Sequence, residues 1–100
     1  MTYSPATQDQ LLAIRVNAGI AELAQSERFA AAEPDMVEAI VEGVGQFAAG
    51  EWAPLNRTGD LEGAKLENGV VRLPDGFEQA YKHYVEQGWN AIASPGEFGG

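Results

Sequence analysis

The run from Glu33 to Pro54 constrains this chain more than any other stretch. Its apolar residues Val37, Ile40, Val41, Val44, Phe47 and Ala48 recur at steps of three and four. That is the helical period, and it lays one wide apolar face along a helix. Glu38, Glu42 and Gln46 fall on the opposite side. Pro34 suits a first helical turn, and the acidic Glu33 and Asp35 favour the positive end of the helix dipole. The spacing predicts a helix from Pro34 to about Trp52, ended by Pro54, which biases Ala53 away from helical angles. Such a face must be covered by other helices. The expected fold is therefore all-α, a small bundle of about four helices, with one short β-hairpin near Asn68-Gly69.

Three glycines, Gly43, Gly45 and Gly50, lie in or at the end of that helix, each interior one costing about 1 kcal/mol relative to alanine. Their spacing is not a dinucleotide-binding fingerprint, and no strand precedes them. They are expected to mark a place where a neighbouring helix crosses closely.

The remaining elements follow from local signals. Thr7-x-x-Gln10 fits a capping box, so a helix is expected from about Gln8 to Ala18, with Gly19 as its stop. Ile20, Leu23 and Ala24 suggest a second short segment ending before Arg28. Pro54–Gly63, with Asn56, Thr58, Gly59 and Asp60, reads as a polar loop. Within it, Asp60-x-Glu62 lacks the further ligands of a calcium loop. Asn68-Gly69 suits a two-residue hairpin turn, because both positions tolerate positive φ; Lys65–Glu67 and Val70–Arg72 are its arms. A last helix is expected from Asp75 as N-cap to Gly88 as stop, with Phe77, Ala80, Tyr81, Tyr84 and Val85 on its apolar stripe. Trp89–Ala93 adds a further helical turn. His83, the single histidine, sits off the stripe and reads as a surface residue rather than a ligand or base.

Composition narrows the functions. The hydrophobic content is 45% and the charged content 21%, which suits a folded chain. Net charge is −9 with six Lys and Arg in no cluster, so neither a nucleic acid nor an anionic membrane is an expected partner. There is no cysteine, hence no thiolate metal site or thiol nucleophile. The first residues carry no basic and apolar leader pattern, and a cytoplasmic location is expected.

In order along the chain, Phe47-Ala48, then Ala53-Pro54-Leu55-Asn56 and Asp60, then Gly88-Trp89-Asn90-Ala91-Ile92 and Pro95-x-Glu97-Phe98-Gly99-Gly100 resemble the N-terminal helical domain of acyl-CoA dehydrogenases. Phe98 stands where that family often has Tyr. Leu66-Glu67-Asn68-Gly69-Val70-Val71 and Pro74-x-Gly76-Phe77 are similar to a bacterial branch that includes the 3-methylmercaptopropionyl-CoA dehydrogenases. The resemblance implies a helical extension over residues 1–30 and the helical domain over residues 31–100, without the middle β domain and the C-terminal helical bundle. It implies an FAD enzyme that oxidises acyl-CoA thioesters and passes electrons to an electron-transfer flavoprotein. The flavin-contacting strands and the catalytic Glu of the family lie beyond the Gly-Gly pair. No catalytic, cofactor-binding or metal-binding residue is therefore assigned here, and the chain alone is expected to be inactive. Tyr84, Trp89 and Phe98 are the candidate interface residues toward the other domains. The alternative is a stand-alone helical protein that acts by self-association or partner binding. A third reading is a minimal helical bundle that binds an acyl chain.

Overall fold

A computed structural model describes residues 2–100. Helix predominates, as the apolar periodicity requires. Among the described residues four helices have ten or more residues: α1 (Thr7–Val16), α3 (Pro34–Phe47), α4 (Ala53–Glu62) and α5 (Phe77–Glu86). A four-residue helix α2 (Ile20–Leu23), a π turn (Ala48–Trp52) and two 3₁₀ turns (Trp89–Ala91 and Gly96–Phe98) complete the helical content. The only strands among the described residues are β1 (Lys65–Glu67) and β2 (Val70–Arg72), paired antiparallel with Leu66 opposite Val71. The chain divides into two compact units, one reaching to Ala49 and the other Gly50–Gly100.

In the amino-terminal unit, α1 packs against α3 and α2. A close approach is found at Gly45, where a Cβ would stand 3.2 Å from Pro5 Cβ and 3.3 Å from Thr7 Oγ1. The expected close crossing is therefore found at Gly45, whereas Gly50 has nothing within 4 Å of such a Cβ. Thr7 is not a cap. It is the first residue of α1, Ala6 precedes it, and no side chain caps the helix; the Thr7 hydroxyl faces the Gly45 backbone instead. Gly19, at φ +62, opens α2 rather than directly closing α1, whose C-cap is Asn17.

In the carboxyl-terminal unit the expected loop at Pro54–Gly63 is corrected to α4. Pro54 does not stop helix. It occupies the first turn of α4, where a residue without an N–H loses no hydrogen bond. The α-helical pattern of α3 yields at Phe47 to the π turn, and α4 resumes from Ala53. Gly59 serves packing, not a turn: a Cβ there would come within 2.6 Å of Phe77 Cζ, so the ring of Phe77 lies directly against α4. Gly76 sits at φ +94, and a Cβ on it would meet Leu55 Cδ2 at 2.9 Å. Gly76, not Asp75, is the N-cap of α5, again without a side-chain hydrogen bond. A φ near +90° suits glycine and excludes most other residues.

The hairpin has the expected arms, with Asn68 at φ +50 and Gly69 at φ +79. Its two faces differ: Leu66 and Val71 share one, while Lys65, Glu67, Val70 and Arg72 share the other. Arg72 reaches Glu67 diagonally, Nε to Oε2 3.7 Å.

Little of this chain is fully covered. Phe47 and Ala80 are each 7% exposed, and Gly45 and Pro74 are the other buried residues among those described.

Candidate functional site

The carboxyl-terminal unit brings its side chains together where α4, the β2 exit and α5 converge. The π turn ends in Glu51 and Trp52, and both engage α5. Trp52 tilts against Tyr84, ring centroids 4.8 Å apart and planes at 43°, and Tyr81 follows Tyr84 at 6.4 Å. Glu51 Oε2 lies 2.5 Å from His83 Nδ1, and the opposite ring nitrogen of His83 lies 2.8 Å from Gln79 Nε2. A carboxylate accepts from an N–H, so the Nδ1 of His83 donates to Glu51. His83 is thus half-buried and bonded on both nitrogens, a correction to its reading as a plain surface residue. Its sequence neighbours Gln79 and Lys82 are polar, which hid a partner 32 positions away.

Of the residues singled out from sequence, Tyr84 joins Trp52. Trp89 lies in the 3₁₀ turn after Gly88, half-buried, its indole N–H donating to Gln87 Oε1 at 2.9 Å. Phe98 is in the last 3₁₀ turn and is 77% exposed.

Beside this cluster an open groove runs between α4 and α5. Leu55, Phe77 and Tyr81 line it together with Val71 and Leu73 from the hairpin exit. Val71, Leu73 and Tyr81 are 65%, 60% and 64% exposed, so the groove is apolar and open. Asp60, Asp75 and Glu78 stand along it with a single cation, Arg72. The groove is hidden in the sequence because the residues of α4 favour turns when taken in isolation. The signal was present in Leu55, Gly59 and Phe77, but only helical geometry aligns them.

The groove does not suit a flavin dinucleotide. A pyrophosphate needs backbone N–H groups or cations converging on it, and three carboxylates here oppose one guanidinium already paired with Glu67. Among the described residues no three His, Asp or Glu side chains lie close enough to hold a metal, and no charged side chain is buried. No described helix is long and apolar enough to cross a membrane.

No family model matches the chain. The chain is 37% identical over all 100 residues to the 3-methylmercaptopropionyl-CoA dehydrogenase of Ruegeria pomeroyi, and it spans 17% of that protein's length. The likeness points to the acyl-CoA dehydrogenases, in agreement with the motifs in the sequence.

Proposed function

We propose that these 100 residues are the N-terminal helical portion of an FAD-dependent acyl-CoA dehydrogenase of the 3-methylmercaptopropionyl-CoA dehydrogenase branch. The enzyme as a whole removes two hydrogens from the α,β-carbons of an acyl-CoA thioester in the cytoplasm and delivers the electrons to an electron-transfer flavoprotein. This portion is inactive alone, and its role is to supply a helical wall. Tyr84, Trp89 and Phe98 are its contacts with the remaining domains. The observation that carries the reading is an identity of 37% sustained across the entire chain with a protein of which the chain spans 17%. Two features support it. Large apolar side chains stay uncovered, Phe98 and Leu61 among them, and the groove's charge is wrong for FAD. FAD supplies the hydride acceptor in such enzymes, and nothing in this chain is assigned to hold it.

A chimera tests the proposal: this chain replaces the matching segment of the Ruegeria enzyme. The expected outcome is a yellow, folded enzyme that still oxidises 3-methylmercaptopropionyl-CoA. A folded, flavin-loaded but inactive chimera would overturn the assignment. Flavin retained by the isolated chain after desalting would overturn its inactivity as a cofactor-free wall.

The second reading, a stand-alone helical protein that self-associates, draws on the same uncovered apolar residues, since exposed patches of this kind mark interfaces. Light scattering decides it: a monomer whose mass does not change with concentration counts against self-association.

A further inference from the structure

We propose that the groove between α4 and α5 is a docking site for a polypeptide segment of another protein, one that presents apolar side chains flanked by Lys or Arg. This goes beyond the dehydrogenase reading and does not depend on it.

The groove has the two parts such a segment needs. Its floor is shaped by two close approaches, Phe77 on Gly59 and Leu55 on Gly76, which fix the side chains from both helices. Above them Val71, Leu73 and Tyr81 remain mostly exposed. An apolar side chain entering there removes water from both surfaces. The polar margin is acidic. Asp60 and Asp75 have no ion-pair partner among the described residues, whereas Glu78 holds Lys82 at 2.9 Å and Arg72 holds Glu67. Two unpaired carboxylates therefore border an uncovered apolar channel.

Charge selects among occupants. A second copy of this chain brings net charge −9 and meets like charge at the margin. A coenzyme A thioester brings phosphates, which Asp60 and Asp75 repel. A cationic, apolar segment gains on both counts, and like-charged competitors are rejected by the same groups. Apolar anchors at helical spacing would place Lys or Arg of the same segment on the flanks, within reach of Asp60 and Asp75.

The test is fluorescence anisotropy with the full 100-residue chain. The labelled probes are a synthetic Leu/Lys amphipathic helix of about four turns, its Leu/Glu counterpart and a scrambled Leu/Lys peptide. The Leu/Lys helix is expected to bind, and the other two to bind at least about tenfold more weakly. D60N/D75N is expected to weaken the Leu/Lys helix by about tenfold. E22Q/E27Q removes the same charge from the amino-terminal unit and serves as the control; its expected effect is under about threefold. V71S/L73S, with helicity checked by circular dichroism, is expected to abolish the preference for the helical over the scrambled peptide. Equal losses in the two charge variants would reduce the effect to general attraction by an acidic chain and overturn the proposal. So would absence of binding by the Leu/Lys helix, or its displacement by butyryl-CoA. A chain that dimerises through the groove, losing the dimer in V71S/L73S, would overturn it in favour of a second copy.

Discussion

The two units reach helical structure by different means. In the amino-terminal unit α1 buries no residue, and Pro5 and Thr7 stand close to Gly45 of α3. In the carboxyl-terminal unit Phe77 lies on Gly59 and Leu55 on Gly76, Trp52 tilts against Tyr84, and Glu51 is bonded to His83. An amphipathic pattern suffices to make helices touch. Fixing which residue meets which takes a notch and something to fill it, and the second unit has two such pairs, at Gly59 and Gly76.

Phe47 provides the largest test. It is the buried aromatic among the described residues, at 7% exposure. Phe47→Ala is expected to lose about 3 kcal/mol, the lower end for a buried phenylalanine, read from urea unfolding. A loss under half that would mean α3 is held by other contacts. Next comes the interlock at Gly59. Gly59→Ala gains helix propensity of about 1 kcal/mol, yet its Cβ would displace the Phe77 ring. A net loss of about 2 kcal/mol is expected, overpacking exceeding propensity. Faster amide exchange across α4 and the start of α5 would accompany it, and a stabilised variant would refute the interlock.

His83→Ala removes a half-buried hydrogen bond and is expected to cost about 1 kcal/mol. The same loss in Glu51→Gln, with the double variant no worse than either single one, would show that the two side chains act as a pair. Full additivity would separate them. The smallest effect belongs to the first unit. At Gly45 a Cβ at 3.2 Å from Pro5 asks for a slight shift, while alanine favours helix. Gly45→Ala is expected to change stability by no more than about 0.5 kcal/mol. A loss as large as that at Gly59 would make the two units alike after all.

What the sequence made legible depended on how local the cause was. The hairpin arms are legible residue for residue because Asn68-Gly69 suits positive φ at both turn positions. The apolar face and Pro34 mark α3, although the apolar pattern runs on beyond its end at Phe47. α4 is not legible because Pro54, Asn56, Thr58, Gly59 and Asp60 all favour turns in isolation. Their helical role rests on Phe77, eighteen positions after Gly59, which no local signal reveals. Asp75 looked like a cap for the same reason, whereas contact with Leu55 gave that position's work to Gly76. Tyr84 and Trp89 were identifiable as large aromatics on the last helix and its following turn. The His83–Glu51 pair was not, because its two members lie on separate elements.

The hairpin's brevity has a consequence for solubility. Each of its two strands leaves one backbone edge unpaired among the described residues, and such edges invite strands from other molecules to add on and grow into aggregates. Three residues per strand offer little length for a foreign strand to join. Lys65, Glu67 and Arg72 make every such approach bring charges together. The hairpin can therefore hold Val71 open to solvent without seeding fibres.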